Sequence, residues 1–187
     1  IPLKDSVADL EEGVLIVDSR DKGAFRQGHF AKAINLMEGN KFETWLGSIV
    51  SPDEKFVLVA RDESSARQLA ERAAAIGYEK HLSAAYFDVK GEEAFTNGNL
   101  DDFRESPESY TIVDVRNAKE VKERKIFGKS IAIPLGELRE RMHEIPQDKP
   151  IAIHCAAGYR SAAATSIISA AFPDKPILDI GESIQNF

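Results

Sequence analysis

The chain has 187 residues, of which 24 are basic and 31 acidic, giving a net charge of −7, and it contains one cysteine. A hydrophobic fraction of 43% and a charged fraction of 29% are typical of a globular protein and exclude fibrous and disordered classes. One cysteine excludes an internal disulfide framework and favours the cytoplasm, the acidic balance argues against nucleic-acid binding, and no apolar run reaches the roughly 18 residues of a membrane helix.

The first half of the chain alternates apolar runs of strand length with a helical segment. Val14–Arg20 and Phe56–Ala60 are rich in β-branched residues and predict strands. Ser64–Ile76 predicts a helix that ends at Gly77, since glycine after a helix adopts the left-handed conformation without steric cost. Turn residues then predict a linker within residues 90–108.

The second half repeats this order. Tyr110–Arg116 matches Val14–Arg20, including an Asp-x-Arg triplet, and Ile151–Cys155 matches Phe56–Ala60 at nearly the same offset. A second helical segment, Ser161–Phe172, follows and is stopped by a proline. Two matched elements at one offset indicate duplication rather than the chance similarity of apolar runs.

The duplication predicts an α/β fold of two domains, residues 1–95 and 96–187. Near-continuous apolar strands that alternate with helices predict a mainly parallel sheet in each domain, flanked by helices. The segment Leu135–Ile145 additionally predicts an amphipathic helix in the second domain, with its charged residues on a solvated face.

The single cysteine stands at the carboxyl end of the predicted strand Ile151–His154, where a short loop leads into a helix. Ligands of open α/β sheets bind at such ends, and the backbone N–H groups of a tight loop favour a thiolate over a thiol. Gly158 gives the loop its curvature, and Arg160 adds a permanent positive charge. A buried cysteine that acts as a small hydrophobic residue is the alternative, but these features together favour a nucleophile at Cys155.

The segment Cys155–Ser161 resembles the active-site loop of the rhodanese (sulfurtransferase) family. Ile112–Arg116, with Glu120, resembles the first strand and turn of that family, and parts of Gly28–Asn35 and Ile131–Leu135 resemble its second strand region. The resemblance covers nearly the whole chain as a tandem of two rhodanese-like domains. We predict Cys155 and Arg160 as catalytic residues, Asp114 as a supporting residue, and the remaining loop residues as substrate-binding. These loop residues are Ala156, Ala157, Gly158, Tyr159 and Ser161.

The resemblance implies transfer of a sulfane sulfur through a persulfide on Cys155. The expected donors are thiosulfate and a low-molecular-weight persulfide such as glutathione persulfide, and the expected acceptors are a thiol, cyanide or sulfite. Ala156 stands where thiosulfate-specific members of the family often carry a basic residue. The reaction needs no metal or organic cofactor, and the four histidines show no zinc-ligand spacing with the cysteine.

The first domain has Ala60 at the position of Cys155. The residues that follow, Arg61–Ser65, include two carboxylates and no glycine, so they disfavour an anionic substrate. We therefore predict that this domain is inactive and that it shapes the cleft, packs against the second domain or docks another domain.

Two other functions stay open. Cysteine phosphatases and arsenate reductases place five residues between Cys and Arg, whereas four, Ala156–Tyr159, separate Cys155 from Arg160. The shorter loop favours a single sulfur atom over a tetrahedral oxyanion. The alternative from another class is a non-catalytic regulatory or docking module of a larger sulfide-metabolising protein.

The start of the chain indicates a longer parent protein. Ile1–Asp5 contains neither an initiating Met nor the pattern of a signal peptide. An inactive domain followed by an active one resembles the C-terminal part of proteins that fuse a metallo-β-lactamase-fold persulfide dioxygenase to rhodanese domains. We expect such a domain to be covalently linked upstream.

Local spacing also predicts how the charged residues near the site pair. Arg116 and Glu120 are four positions apart and are expected to form a structural ion pair at a helix start. Asp114 either orients a loop N–H group or Arg160, or pairs with Arg116. His154 is expected to be a core residue rather than a catalytic one.

Overall fold

The computed structural model describes all residues, 1–187. The chain divides into two compact units, Ile1–Phe95 and Thr96–Phe187. Each unit contains one sheet of parallel strands flanked by helices, which confirms the predicted α/β class. None of the helices combines the length and apolar character that a bilayer crossing requires.

The first unit is built on a five-stranded sheet. Its elements are β1 (Leu3–Lys4), β2 (Leu15–Asp18), α1 (Lys22–Gln27), β3 (Ile34–Asn35), α2 (Phe42–Ile49), β4 (Phe56–Ala60), α3 (Glu63–Ala75) and β5 (Leu82–Phe87). The strand order is β1-β5-β4-β2-β3, and all neighbouring pairs are parallel. All five residues of the central strand β4 are buried, as its continuous apolar run predicts.

The second unit is built on a four-stranded sheet. Its elements are α4 (Leu100–Glu105), β6 (Thr111–Asp114), α5 (Ala118–Glu123), β7 (Ile131–Ala132), α6 (Leu138–Arg141), β8 (Ile151–His154), α7 (Tyr159–Ala171) and β9 (Ile177–Asp179). The strand order is β7-β6-β8-β9, again all parallel. Short 3₁₀ segments occupy Pro107–Ser109, Leu135–Glu137, Met142–Glu144 and Gly181–Asn186.

The end of α3 follows the sequence prediction closely. Gly77 has φ +93° and follows the helix, with its N–H bonded to the carbonyl of Ala74 at 2.9 Å. The N–H of Tyr78 bonds to the carbonyl of Ala73 at 3.2 Å, which completes a Schellman motif. A residue with a Cβ is strained at this φ, so glycine is the residue that ends the helix without cost.

Two sequence predictions are corrected. The segment predicted as a linker contains the helix α4. Phe103 of this helix is fully buried and packs edge-to-face against three aromatic rings, which anchors the helix to the second unit. The predicted helix Leu135–Ile145 is broken into two 3₁₀ turns around the four residues of α6. Gly136 weakens a regular helix, and Leu135 and Leu138 both reach the core at the three-residue spacing that a 3₁₀ turn places on one side.

The parallel register fixes where the carboxyl ends of the strands meet. Asp114 at the end of β6 lies beside His154 at the end of β8, and Cys155 follows directly. In the first unit Asp18 lies beside Val59 in the same way, and Ala60 follows. The two halves of the chain therefore bring Cys155 and Ala60 to corresponding edges of their sheets.

Candidate active site

The thiol of Cys155 lies inside a tight loop of backbone donors. The residue is 1% exposed, and its Sγ accepts hydrogen bonds from the N–H of Gly158 at 3.1 Å and of Ser161 at 3.4 Å. The loop leads directly into the 13-residue helix α7, which begins at Tyr159, two positions earlier than predicted. Convergent N–H groups at the start of a helix form an anion-binding arrangement, and Sγ of Cys155 lies within this one.

Gly158 is the turning point of the loop. Its φ of +99° lies in the left-handed region, where residues with a Cβ are strained. A Cβ at this position would also lie 2.9 Å from the backbone nitrogen of Glu182 and 3.0 Å from the carbonyl carbon of Gly181. Both conformation and space therefore require glycine here.

Arg160 is held by a residue forty positions upstream. Its Nη1 and Nη2 donate to the two carboxylate oxygens of Glu120, at 2.6 and 2.8 Å. The Arg160 side chain is 11% exposed and that of Glu120 is 35% exposed. The hydrogen bonds from Arg160 lower the pKa of Glu120 to about 2. Burial opposes the charge of Arg160, but these hydrogen bonds and the neighbouring anionic groups raise its pKa, so both partners stay ionised.

The predicted pair of Arg116 with Glu120 is wrong. The Arg116 side chain turns back to Asp114 instead, with Nε–Oδ1 at 2.9 Å and Nη2–Oδ2 at 2.6 Å. Glu120 accepts the backbone N–H of Asn117 at 3.0 Å, and its two carboxylate oxygens accept the guanidinium N–H groups of Arg160. Of the two roles considered for Asp114, the structure contains the pair with Arg116.

A buried histidine lies next to this pair. His154 is fully buried, and its Nε2 is 3.6 Å from Oδ2 of Asp114 without a hydrogen-bond partner. Its Nδ1 lies 3.3 Å from the carbonyl oxygen of Cys155, and its ring packs edge-to-face on Phe127. Burial lowers the pKa of His154, so the ring is neutral near pH 7.

The remaining predicted residues form the rim of the loop. Ala156 and Ala157 are exposed, Tyr159 is half-buried, and Ser161 is buried with its hydroxyl donating to the Gly158 carbonyl at 3.2 Å. Of the predicted loop residues, Gly158 and Ser161 contact Sγ of Cys155, both through their backbone N–H groups. No group of three or more His, Cys, Asp or Glu side chains is placed to hold a metal ion.

The corresponding position of the first unit is closed by a carboxylate. β4 ends at Ala60, and Asp62 caps α3 by accepting the N–H of Ser65 at 2.7 Å. Counted from the start of each helix, this N–H corresponds to that of Ser161, which points to Sγ in the second unit. In the first unit the Asp62 carboxylate therefore accepts an N–H group at the start of the helix, whereas in the second unit Sγ of Cys155 accepts the N–H groups. The Asp18–Arg20 ion pair, by contrast, repeats the Asp114–Arg116 pair.

Sequence reasoning missed two acidic residues at the site. Local spacing pairs Glu120 with Arg116, whereas in the structure Glu120 forms its ion pair with Arg160. No sequence pattern indicates Glu182, whose backbone and carboxyl group lie close to Gly158. Glu120 carried a partial signal, because it follows an Asp-x-Arg triplet and can bond back to Asn117, but nothing in the sequence pointed to Glu182.

A family model described as the rhodanese-like domain matches twice, over residues 3–90 and 96–184. Comparison with curated proteins gave no match.

Solved structures similar to this chain include a rhodanese-related protein from Thermoplasma volcanium, which is 35% identical over 49% of this chain and 89% of that chain, with a TM-score of 0.41. The reduced CoADR-RHD protein from Bacillus anthracis is 30% identical over 44% of this chain and 14% of that chain, with a TM-score of 0.35. A thiosulfate sulfurtransferase from Pseudomonas aeruginosa is 14% identical over 91% of this chain and 35% of that chain, with a TM-score of 0.39.

Proposed function

Because this chain belongs to the family of rhodanese-like domains, with one domain in each unit, we propose that it is a sulfurtransferase whose single active site is Cys155. The observation that carries the proposal is the pair of N–H groups, from Gly158 and Ser161, that converge on Sγ at the start of α7. The same environment that favours a thiolate also stabilises the terminal sulfur of a persulfide, because both are sulfur anions.

The reaction proceeds in two displacements at sulfur. In the first, the Cys155 thiolate attacks the outer sulfur of the donor, a Cys–S–S⁻ persulfide forms, and the donor leaves as sulfite from thiosulfate or as a thiolate from a persulfide. In the second, a thiol, cyanide or sulfite attacks the terminal sulfur, and the Cys155 thiolate is released. Each leaving group is an anion that carries away its own electron pair, so neither step requires a separate general base.

Loop size and burial favour sulfur over phosphate. Cys155 is 1% exposed, which suits a donor that presents one terminal sulfur atom rather than a tetrahedral group. Ala156 and Ala157 at the rim have short side chains and leave room for the body of the donor. Thiosulfate and a low-molecular-weight persulfide such as glutathione persulfide are the donors we propose.

Arg160 and the first unit take different parts in this proposal. Arg160 follows the loop and is fixed by Glu120, so it contributes a positive charge of constant position rather than a mobile one. The first unit does not catalyse transfer, because Ala60 lacks sulfur and the Asp62 carboxylate already accepts the N–H of Ser65. Cytoplasmic location and a metallo-β-lactamase-fold domain linked upstream stay predictions.

The test is sulfur transfer to cyanide, followed as thiocyanate, from thiosulfate and separately from glutathione persulfide. We expect transfer by the unaltered chain and its loss in Cys155→Ser. Ala60→Ser places the same hydroxyl at the corresponding position of the first unit and is expected to leave the rate unchanged. Undiminished transfer by Cys155→Ser would overturn the mechanism, and inability of the unaltered chain to use any donor would favour a regulatory module.

A further inference from the structure

His154 is the last residue of β8 and directly precedes the proposed nucleophile. Its side chain is fully buried, and its Nδ1 lies 3.3 Å from the carbonyl oxygen of Cys155, within hydrogen-bond distance. On the other side of the ring, Nε2 lies 3.6 Å from Oδ2 of Asp114 and has no hydrogen-bond partner. The ring therefore stands between two oxygen atoms and bonds to the one that belongs to the active-site loop.

This arrangement determines which ring nitrogen carries the proton. Since burial lowers the pKa of His154, the ring is neutral near pH 7 and has one N–H group. A backbone carbonyl cannot donate, so the bond to Cys155 requires the proton on Nδ1. Asp114 does not compete for it, because its two oxygens already accept the guanidinium of Arg116 at 2.9 and 2.6 Å. Nε2 is then buried without a donor, which costs free energy.

The first unit shows that the fold does not require a histidine at this position. Val59 occupies the register position that corresponds to His154, beside Asp18. Asp18 nevertheless forms its ion pair with Arg20 at 2.6 Å, as the corresponding pair does in the second unit. The hydrogen bond that the histidine adds is the one to the Cys155 carbonyl, in the unit that contains the thiol.

Aromatic packing holds the ring in this orientation. It packs edge-to-face on Phe127 with ring centroids 5.2 Å apart, and Phe127 packs in the same way on Phe103 and Phe187. A donor that is already fixed by packing loses little side-chain entropy when it forms its hydrogen bond. The core of the second unit therefore presents His154 to the loop as a rigid donor.

The Cys155 carbonyl belongs to the peptide that begins the loop. Because a peptide is planar and trans, a carbonyl held by His154 also fixes the N–H of Ala156, which points to the opposite side. The N–H groups that contact Sγ, those of Gly158 and Ser161, follow within six residues of Cys155. The orientation of this first peptide sets the direction in which the loop leaves the strand.

We propose that His154 is a positioning residue for sulfur transfer, which holds the active-site loop through a hydrogen bond from Nδ1 to the Cys155 carbonyl. This inference rests on the proposed sulfurtransferase function and adds a residue to it. Because the ring is fully buried, it acts on the rate of persulfide formation rather than on donor binding. A misplacement of about 1 Å in a reacting group costs up to about 100-fold in rate, and loss of this hydrogen bond is expected to have an effect of up to that size.

The position of the ring proton can be tested without any measurement of activity. Nuclear magnetic resonance of protein with isotope-labelled histidine distinguishes the two neutral tautomers by their nitrogen chemical shifts. The chain has four histidines, and the ring signals that are missing from His154→Val are those of His154. We expect a neutral ring with its proton on Nδ1. A proton on Nε2 alone would place a lone pair against the Cys155 carbonyl and would overturn the inference.

Three substitutions separate positioning from packing. His154→Asn keeps an amide donor close to the place of Nδ1, His154→Gln carries its amide one bond further along the side chain, and His154→Val has no donor. Rapid mixing with a donor gives the rate of persulfide formation at saturation and the donor concentration for half-saturation. We expect a rate up to about 100-fold lower in His154→Val and His154→Gln, a rate close to the unaltered one in His154→Asn, and unchanged half-saturation in all three.

A role in packing alone predicts the opposite order. Valine fits the corresponding position of the first unit, whereas asparagine buries an amide in an apolar core, so His154→Asn should be less stable than His154→Val. The control for lost stability is Ile112→Ala, which opens a cavity in the core of the second unit and leaves the hydrogen bond intact. This control is expected to form the persulfide at the unaltered rate in protein that is still folded.

Persulfide formation at the unaltered rate in His154→Val, or a faster rate in His154→Val than in His154→Asn, would overturn this inference and leave the proposed function standing. Should His154→Asn fail to fold, the position of the ring proton and the rate of His154→Val decide. Failure of the unaltered chain to take up sulfur from any donor would instead overturn the proposed function.

Discussion

Replacing Gly158 with alanine should damage both stability and sulfur transfer, for reasons that can be separated. The φ of +99° costs a residue with a Cβ about 1–2 kcal/mol. The added Cβ would also meet two backbone atoms of Gly181 and Glu182 at 3.0 and 2.9 Å, and relief of such overpacking costs roughly another 1–3 kcal/mol. We therefore expect Gly158→Ala to lower the free energy of unfolding by about 2–5 kcal/mol.

The chemical effect follows from how the loop relieves this contact. Either the segment at Gly181 moves away or the Gly158 backbone moves, and the second movement lengthens the 3.1 Å contact between its nitrogen and Sγ. Loss of one preorganised donor to a developing anion typically costs about 100-fold to 1000-fold in rate. The rate of persulfide formation on Cys155, measured by rapid mixing with a donor, should fall by up to this factor in protein that is still folded.

Gly77→Ala is the matched control. Gly77 has a similar φ of +93°, but an added Cβ there meets nothing within 4 Å, and the residue lies at the end of α3 in the first unit. It should cost only the conformational part, about 1–2 kcal/mol, and leave sulfur loading unchanged. Equal losses for the two variants in urea unfolding, together with sulfur loading of Gly158→Ala at the unaltered rate, would contradict a steric role for Gly158.

Two further predictions concern the charged groups around the loop. Glu120→Gln should lower the free energy of unfolding near pH 7 by about 1 kcal/mol after screening is allowed for, since Glu120 is about one-third exposed. The pKa of Glu120 is lowered from 4.5 to about 2, so the difference in free energy of unfolding between the two proteins should be complete above pH 4.5 and should disappear as the pH falls towards 2. Urea titrations that show a constant difference over this range would contradict the assignment of Arg160 as the partner of Glu120. In the first unit, Val59 occupies the register position that corresponds to His154. His154→Val should therefore make the free energy of unfolding less sensitive to acid. The folded state favours the neutral ring, so the unaltered protein should lose stability as the pH falls below 6.5, and equal acid sensitivity of the two proteins would refute this role.

The fold was predictable because its signals are local and repeated. The runs that end in Asp18 and Asp114 have the composition of buried parallel strands, and each is followed two positions later by an arginine that bonds back to it. Gly77 ends its helix as expected, since the left-handed residue of a Schellman motif is nearly always glycine. Duplication strengthened each of these signals by supplying it twice.

The electrostatics of the site were not predictable in the same way. Local spacing pairs Glu120 with Arg116, but in the structure Glu120 bonds to the backbone N–H of Asn117 and to Arg160, which lies on a helix forty residues later. The approach of Glu182 to Gly158 depends on the path of the chain after β9, which no pattern in the sequence encodes. Such contacts depend on tertiary packing, and side-chain spacing along the chain carries no information about them.

The first unit illustrates the same limit on a smaller scale. The sequence indicates that the loop of the first unit contains two carboxylates, and it predicts that they repel an anionic substrate. In the structure, the Asp62 carboxylate caps α3 and accepts the N–H of Ser65, so it fills the place of an anion rather than only repelling one. The sequence predicts that the loop of the first unit has neither the thiol nor the glycine that sulfur transfer needs. The structure adds that the Asp62 side chain already occupies the start of α3.

The role of Cys155 as sulfur carrier is tested most directly by the intact mass of the protein after treatment with a sulfane-sulfur donor and removal of the excess. We expect that the unaltered chain gains the mass of one sulfur atom, that cyanide removes this mass, and that Cys155→Ser gains none. A Cys155→Ser protein that acquires the same cyanide-labile sulfur, or an unaltered chain that acquires none from any donor, would contradict the claim that Cys155 carries the transferred sulfur.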